Sequence, residues 1–520
     1  MSGLALRALV LNDVRLRLRR LSTLVVLLAV IGVIWAVIPA PASGNALMAN
    51  GNARVLNTSS ALALGSGTWA SFLFSLAAFY LVRGRMAEDI RSGIGGVIGA
   101  TQTSNTVFLV SRWLGGVAYM LALLFVFMGA VLVLHLLRAE GPIQLWVYLQ
   151  AYALTLLPMV FFTVSCAVLF DSVPALMGKG GDVLYFFLWF AQLLTLAPLG
   201  TAGATPPWHL LFDFTGMASA MYNLMGVLHT HNVSVGWSSF DPKLPPVALP
   251  SALWSVQMTL MRCASAALAL LPMLPAALLF HRYSPDRVKV GAARARRSPL
   301  TLVNSILRPA AVLAQPLLRM GARIGGVPGQ VLADLGLTLA AAPAGSAALL
   351  VVGAASLLAK QAALGGVLLA GVACWGILVS DISTRDFQAD TAHLSAAAPG
   401  GARARYLRHF GVTFLLGLLF CGGVALRWAP HDGLRAGALL AGLFGLSAAA
   451  TMLGRCSGTA RTFCALFLFG LYIAVNDTHI AFIDMVAFNG AATARSALAW
   501  CAVGLVCSLL GYGWNRRQAA

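Results

Sequence analysis

Arg262 is the basic residue whose position in the sequence most suggests chemistry. It lies about ten residues into the apolar stretch from Ala252 to Phe280. A charged side chain costs roughly a few kcal/mol inside a bilayer, so an ionisable residue in such a stretch often marks the path of a substrate or an ion. We expect Arg262 to face a central cavity and to meet an anionic substrate or a lipid headgroup. The alternative is an arginine that pairs locally or reaches the outer surface.

The stretch from Gly200 to Ser251 carries residue types that bind soft metals. It contains an aspartate, three methionines spaced by four residues and two histidines, namely Asp213, Met217, Met221, Met225, His229 and His231. On a helix the methionines share one face, and thioether sulfur is a ligand that Cu(I) prefers. Methionines also fill irregular gaps adaptably, which is the simpler interpretation. We expect a half-buried helix at the outer mouth and no metal bound by the chain.

The sequence contains no motif for nucleotide hydrolysis. The fragment nearest to a phosphate-binding loop, Met177 to Gly181, lacks the leading glycine and the hydroxyl that follows the lysine. HExxH is absent, and no serine elbow or pair of catalytic carboxylates can be placed in a water-filled pocket. We therefore expect no catalytic residues and no enzyme activity in this chain.

The composition assigns these residues to a membrane protein. Of 520 residues, 59% are hydrophobic and only 10% are charged, and the mean hydropathy is +0.84. So few charges cannot cover a water-facing surface, which excludes a soluble globular fold. The eight cysteines lie nearly all in apolar runs and lack metal-site spacing, as is typical of small core residues.

Twelve segments approach the ~20 apolar residues that a membrane-crossing helix needs. In the first half they are roughly residues 21–39, 66–82, 113–137, 145–170, 183–199 and 252–280. In the second half they are roughly residues 343–358, 362–379, 410–428, 436–453, 462–475 and 497–512. The sequence thus predicts an all-α polytopic membrane protein with about 12 transmembrane helices.

Lysine and arginine are distributed unevenly between the predicted loops. With the N-terminus inside, 27 of the 35 basic residues lie on the cytoplasmic side, 7 on the outer side and one within a span. Short positive loops stay in the cytoplasm, so both termini are expected there. The net charge of +19 then faces the anionic lipids of the inner membrane face, and we expect no nucleic-acid partner.

The two sets of six spans share sequence features. The pattern LxDxxLxL contains Asp13 before the first span and Asp334 before the seventh, 321 residues later. Asp89 matches Asp386 without a gap at an offset of 297. We expect two parallel repeats, residues 1–281 with the outer insertion 200–251 and residues 328–520, joined by a basic cytoplasmic linker at 282–327. Each repeat is preceded by an interfacial amphipathic helix, the alternative being a positive flank that only sets topology.

The cytoplasmic loops after the second and eighth spans are long enough for helical hairpins. They run from Arg83 to Arg112 and from Ser380 to His409, and each includes a turn, Thr101 to Asn105 in the first and Pro399 to Gly401 in the second. Two equivalent hairpins on one side suggest a two-fold-symmetric partner. The alternative is a pair of solvated connecting loops.

This organisation resembles the permease subunits of type-2 ATP-binding cassette exporters, which have a type V exporter-like fold. The residues that support the resemblance best are Arg85 to Asn105, Gly181 to Phe187 and Asp213 to Gly216. Two six-span halves in one chain match the fused form of the family. No single motif is diagnostic.

The resemblance implies that two cytoplasmic ATPase subunits, which bind ATP and Mg, dock under the hairpins. It places coupling helices within Glu88 to Thr101 and Arg385 to Ala398. The residues expected to couple the permease to the ATPase are Glu88, Asp89, Arg91, Thr101, Arg385 and Asp386. The outer segment of the second half is shorter than that of the first, which suggests an exit or accessory-protein site on the first half only.

The expected function is export of an amphipathic or hydrophobic cargo, such as a peptide, lipid-like or drug-like molecule, across a bacterial inner membrane. An alternative is a twelve-span secondary transporter of the major facilitator type, which also has parallel six-span halves. The absence of carboxylates within the spans and the 50-residue outer insertion argue against it. A non-transporting membrane scaffold is a third possibility.

Overall fold

The chain divides into two compact units, Met1–Ala295 and Arg296–Ala520. The structure, a computed structural model, describes residues 2–40, 44–101, 104–197, 206–230, 232–280, 307, 309, 314–389, 391, 401–477 and 480–517. His231, most of the expected linker and the part of the second hairpin at 390 and 392–400 lie outside these residues.

The first unit is built from eleven helices and three strands within its described residues. Its helices are α1 Ser2–Leu18, α2 Leu21–Val37, α3 Ser59–Val82, α4 Arg85–Arg91, α5 Ile94–Ala100, α6 Asn105–Arg138, α7 Leu145–Ser172, α8 Lys179–Leu193, α9 Met217–Leu228, α10 Val256–Leu268 and α11 Met273–Leu279. Its strands are β1 Asn45–Asn50, β2 Ala53–Arg54 and β3 Val233–Ser239. Short 3-10 turns lie at Leu194–Leu196 and Trp208–Phe212.

All regular elements in the described part of the second unit are helical, and residues 480–493 form turns. Its helices are α12 Ala314–Arg323, α13 Gly326–Ala341, α14 Pro343–Leu358, α15 Leu364–Val379, α16 Arg385–Gln388, α17 Gly401–Trp428, α18 Gly433–Ser457, α19 Ala460–Asn476 and α20 Ala494–Arg517. Short 3-10 turns lie at Gln361–Ala363 and Ile382–Thr384.

The described residues include eight helices long and apolar enough to cross a membrane, or ten if two bent helix pairs each count as one span. The chain is therefore a mostly helical membrane protein with eight to ten candidate spans. The two other expected spans fall on α8, with 15 residues, and α19, with 17 residues. At ~1.5 Å per residue, helices of this length cover less than the ~30 Å of a hydrocarbon core.

The two bent pairs lie where lead helices were expected. The axis turns by 65° between α1 and α2 and by 102° between α13 and α14. In each pair a hydroxyl of the second helix donates to a carbonyl near the end of the first: Thr23 to Arg17 at 2.7 Å and Ser346 to Leu339 at 2.9 Å. Pro343, which lacks an N–H, begins α14 and fits the start of a new helix.

Helix α1 buries two charged residues and exposes a mixed face. Asp13 and Arg17 are buried, whereas Leu11, Leu16 and Leu18 are exposed together with Arg7, Asn12 and Arg15. Exposed leucines interspersed with arginines suit a helix that lies at the interface between lipid and water.

The outer part of the first unit contains a small antiparallel sheet that the sequence analysis did not anticipate. The strand order is β2-β1-β3, and Asn50 pairs with both Ala53 and Val233. The sheet joins the segment after the first span to the outer insertion 200–251. Helix α9 follows Gly216, whose φ of +74° is a conformation that glycine adopts readily.

Candidate functional site

Asp13 is the centre of a buried ion cluster in the first unit. Its carboxylate accepts from Arg17 Nε at 2.7 Å and from Arg112 Nη1 at 2.9 Å, and Arg85 Nε lies 3.5 Å away. Arg17 also donates to the carbonyl oxygens of Leu81 and Val82 at the end of α3. The lead helix α1 is therefore tied to α3 and to α6.

Arg112 connects this cluster to the loop helix α4. Its Nη2 donates to the carboxylate of Asp89, and its guanidinium lies 5.0 Å from the ring centre of Phe108. Asp13 and Asp89 are both almost fully buried. We call Asp13, Arg112 and Asp89 the first triad. It joins the lead helix, the loop helix and the long helix α6 through one arginine.

Glu88 forms a more exposed ion cluster beside the first triad. Arg20 Nη2 reaches both of its carboxylate oxygens, at 2.7 and 2.6 Å, and Arg85 Nη1 donates at 2.8 Å. Both Arg20 and Glu88 keep a third or more of their side chains exposed. Solvent weakens such pairs, so the buried triad holds α4 more firmly than this cluster does.

The second unit repeats the triad with the same types of residue. Arg408 Nε lies 3.5 Å from Asp334 on α13, and Arg408 Nη2 lies 3.5 Å from Asp386 on α16. At the offset of 297 that aligns Asp89 with Asp386, Arg112 aligns with His409, and Arg408 is the residue directly before it. We call Asp334, Arg408 and Asp386 the second triad. It likewise joins a lead helix, a loop helix and the long helix that follows the loop.

Arg385 adds further charge pairs to the second triad. It lies 3.7 Å from Asp334 and 3.3 Å from Asp381, and it donates to Thr338 Oγ1 at 2.7 Å. Thr338 and Asp334 both belong to α13. Arg385 therefore links the short loop helix α16 directly to the lead helix.

The six residues expected to couple the chain to an ATPase occupy three kinds of position. Glu88, Asp89, Arg385 and Asp386 belong to the ion clusters, and Asp89 is buried rather than available at the surface. Thr101 is exposed at the end of α5, where its hydroxyl donates to Ile98. Arg91 ends α4, and its side chain lies outside the description.

The sequence analysis did not assign Asp13, Arg112, Asp334 or Arg408 to a site. One signal was present, because both aspartates stand at matching positions of the repeated LxDxxLxL pattern. Each arginine also stands shortly before the third or ninth expected span, in a loop already assigned to the hairpins. Their proximity follows from helix packing, which local patterns do not encode.

The loop helix α5 exposes apolar side chains away from the triad. Ile94 and Val97 are 52% and 69% exposed, although α5 lies outside the candidate spans. Phe387 on α16 is exposed as well, at the end of the candidate span 361–388. Exposed apolar residues outside a candidate span, such as Ile94 and Val97, are suited to contact with another protein.

The first unit contains a second buried ion cluster, centred on Arg83 at the end of α3. Arg83, at the end of α3, donates to Asp182 at the start of α8 and to the carbonyl of Leu176. Its Nε lies 3.6 Å from Asp171, which also accepts from the backbone N–H of Gly84 at 2.8 Å. Asp182 belongs to the Gly181 to Phe187 stretch noted in the sequence.

Arg262 is enclosed by its own unit. Its Nε donates to Leu154 O at 2.8 Å, and its Nη1 donates to Asp213 O at 2.5 Å and to Ser219 Oγ at 3.3 Å. Only 1% of the residue is exposed. This geometry matches the alternative of local pairing, and it leaves the substrate-contact expectation without a supporting contact in the described residues.

Asp213 organises the outer turn that Arg262 binds. Its carboxylate accepts from the backbone N–H of Gly216 at 2.9 Å, from Ser219 N at 2.7 Å and from Thr215 Oγ1 at 2.8 Å. These bonds satisfy N–H groups at the beginning of α9, as a capping carboxylate does.

The second unit has a comparable outer turn around Asp484. Its carboxylate accepts from the backbone N–H of Asn489 at 3.3 Å and of Ala491 at 3.2 Å, while Arg435 donates to the carbonyls of Ala487 and Phe488, each at 2.7 Å. Burial raises the pKa of Asp484 above its usual value, and the N–H donors act in the opposite direction. Both units thus pair a buried aspartate with an arginine that binds carbonyls of the same turn.

The residues considered for copper lie on or just after α9. Met217, Met221 and Met225 are half-buried on this helix, and His229 is exposed in a left-handed conformation at its end. In the part of the chain that the structure describes, no group of three or more His, Cys, Asp or Glu residues is arranged to hold a metal.

Comparison of the chain with protein families, curated proteins and solved structures finds no match. The fold itself defines the class: the chain is a helical, multi-span membrane protein, an architecture consistent with a transporter.

Proposed function

We propose that the chain is the permease of an ATP-driven exporter of the type-2 ATP-binding cassette kind, with two fused halves and an amphipathic or hydrophobic cargo. ATP and Mg would bind two separate cytoplasmic chains, and this chain would bind neither. The observation that carries the proposal is the triad present in both units, Asp13–Arg112–Asp89 and Asp334–Arg408–Asp386.

A permease that is driven by separate ATPase chains must transmit the movement of a loop helix to its membrane spans. In the first unit, Arg112 binds the loop helix and the lead helix from a position on α6, which itself is long enough to cross the membrane. A displacement of α4 is thus transmitted to α1 and α6 together. Removing one partner of such a buried pair leaves an uncompensated charge, so the helices resist separation.

The proposal includes twelve spans in two parallel halves, with both termini in the cytoplasm. The short helix α8, continued by the turn Leu194–Leu196, and α19 would complete the two sets of six. The lead helices α1 and α13 would lie along the inner leaflet, with the exposed leucines of α1 facing lipid. The triads and the concentration of basic residues would then share the cytoplasmic side.

The ATPase chains would dock against the exposed apolar residues of the loop helices. The test is gentle purification of the tagged chain from its native membranes, with mass spectrometry of co-purifying chains and an ATP hydrolysis assay on the same sample. An ATPase at about two copies per permease is expected. A lone, ATP-inert chain, recovered under conditions that preserve other membrane complexes, would contradict the proposal and favour a secondary transporter.

Variants of α5 locate the docking surface. Ile94→Asp and Val97→Asp are better probes than charge reversal of Asp89, because Asp89 is buried against Arg112. We expect either variant to reduce ATPase recovery at least tenfold while the permease remains monodisperse. Leu244→Asp, an exposed leucine of the outer segment, is the matched control and should leave recovery unchanged.

A further inference from the structure

Arg408 of the second triad lies among four other basic side chains. Together they come from α16, from the beginning of α17 and from the end of α18. We call these five residues the second-unit basic cluster: Arg385, Arg405, Arg408, His409 and Arg455. The charges of all four arginines act on His409. Three of the members, Arg405, His409 and Arg455, are more than nine-tenths buried.

Asp386 is the carboxylate that most of this cluster faces. It lies 3.5 Å from Arg408 Nη2 and 3.9 Å from His409 Nε2, and its charge also acts on Arg405 and Arg455. Asp334 and Asp381 are engaged mainly by Arg385 and Arg408. The single carboxylate of Asp386 therefore interacts with several basic side chains.

Arg455 makes no hydrogen bond or ion pair with the residues that the structure describes, and its Nε is buried. Nδ1 of His409 is likewise buried without a hydrogen-bond partner there. A buried polar group without a partner costs roughly 1–3 kcal/mol, and more if it is charged. Arg408 Nη2 lies 3.2 Å from His409 Nε2, and because an arginine only donates, Nε2 accepts and the proton of the neutral ring lies on Nδ1. Arg455 Nε and His409 Nδ1 are therefore two buried donors that are suited to an acceptor from elsewhere.

The first unit offers a comparison. There Arg17, Arg20 and Arg112 each reach a carboxylate oxygen within 2.9 Å, although Nε of Arg85 and of Arg112 is also buried without a hydrogen bond. The ion pairs of the second triad and of Arg385 are 3.3 to 3.7 Å long. What distinguishes the second cluster is Arg455, a buried arginine with no ion pair among the described residues.

We propose that the second-unit basic cluster binds a phosphate group. Arginine suits this ligand because its planar guanidinium bonds two phosphate oxygens at once. Arg455 would donate to the phosphate oxygens, together with His409 Nδ1 as its N–H tautomer. Arg405, which already donates to Asn515 Oδ1 at 3.2 Å, would contribute its positive charge. The phosphate can belong to an anionic lipid headgroup or to a free phosphate ion, and the site does not depend on ATP-driven transport. Basic pockets between transmembrane helices bind lipid headgroups in this way.

The experiment measures the thermal unfolding midpoint of the full chain, delipidated in dodecyl maltoside. One arm adds phosphatidylglycerol in mixed micelles, and the other adds inorganic phosphate at constant ionic strength. A ligand that binds only the folded state raises the midpoint with a concentration dependence that reports its affinity. A saturable rise with the lipid alone identifies a headgroup, and a rise with both probes identifies phosphate itself.

Arg455→Gln is expected to weaken the apparent affinity for the responding probe about tenfold or more, because one charge-assisted hydrogen bond is lost. Arg455→Lys keeps the charge and should retain part of the affinity. Arg461→Gln, at the beginning of α19 and six residues further along the chain, is the matched control and should bind like the unchanged chain. If Arg455→Gln does not fold, Arg405→Gln tests the same site.

Two results would overturn the proposal. The unchanged chain could show no saturable response to either probe. Arg455→Gln and Arg405→Gln could bind as tightly as Arg461→Gln.

Discussion

Asp13 and Asp334 occupy equivalent positions in two separate units. Each lies on a helix that precedes a sharp bend, and each meets an arginine near the beginning of a long helix, Arg112 at 2.9 Å and Arg408 at 3.5 Å. The two aspartates are 321 residues apart, in the same sequence pattern. The two parallel repeats that we propose would account for a contact of the same kind in each unit.

Arg112→Met is expected to destabilise the first unit. It leaves Asp89 buried without its arginine, and breaking a buried pair in this way costs about 3–5 kcal/mol. Unfolding of the detergent-solubilised chain, followed by thermal scans, measures the loss. In a double-mutant cycle with Asp89→Asn, the second substitution should cost much less once Arg112 is gone. Additive losses would show that the two side chains do not interact.

Arg408→Met is expected to have a smaller effect than Arg112→Met. Its ion pairs are about 3.5 Å long, and Asp334 and Arg408 are 19% and 25% exposed. Solvent screening limits such pairs to roughly 1 kcal/mol or less. The same unfolding assay compares the two variants directly. An equal or larger loss for Arg408→Met would contradict the inference that the second triad is the weaker one.

Arg262→Lys is expected to be nearly as harmful as Arg262→Met. The guanidinium donates along different directions to Leu154, Asp213 and Ser219, which one ammonium group cannot reproduce. We expect either variant to lower the yield of monodisperse protein several-fold, whereas Lys243→Ala on the exposed outer segment should not. A stable Arg262→Met variant that lost only the transport of an anionic cargo would contradict this structural role and support the prediction that Arg262 contacts the substrate.

Several features of the fold could be predicted because they are encoded locally. Apolar runs marked the helices, and the LxDxxLxL pattern marked both lead helices that precede the bends. The outer sheet could not be predicted in this way. Asn50 pairs with Val233, 183 residues further along the chain. In β3, Val233, Val235 and Trp237 alternate with Ser or Gly, but such an alternation does not identify the partner strand.

The candidate site was predicted only in part, because local sequence patterns do not identify partners that are distant along the chain. Asp89 and Asp386 were noted as loop residues, but their burial depends on arginines that helix packing brings to them. Asp213 and Arg262 were both singled out, 49 residues apart, without any indication that they meet. Sequence spacing identified the charged residues and tertiary structure determined their partners.

The outer sheet can be tested by cross-linking. Asn50→Cys and Val233→Cys place two thiols on directly opposed residues of β1 and β3, within the range that a disulfide spans. We expect the pair to oxidise readily, as detected by a shift in gel mobility that reductant reverses. Asn50→Cys with Ser239→Cys places one thiol at the end of β1 that faces Val233 and the other at the far end of β3, about 20 Å away. This pair should stay reduced. Equal cross-linking of both pairs would rule out this register.

Gly376 should not tolerate a larger residue, because α15 and α19 approach each other closely there. A Cβ atom on Gly376 would overlap a ring carbon of Phe467, far inside van der Waals contact. Gly376→Ala is therefore expected to destabilise the second unit by about 1–3 kcal/mol, as overpacked cores do. Phe467→Leu, which shortens the opposing side chain, should recover part of this loss in the double variant. Gly353→Ala on α14 is the matched control, since nothing lies within 4 Å of its Cβ position and alanine favours helix. If thermal scans found Gly376→Ala as stable as Gly353→Ala, the close packing of α15 on α19 would be wrong.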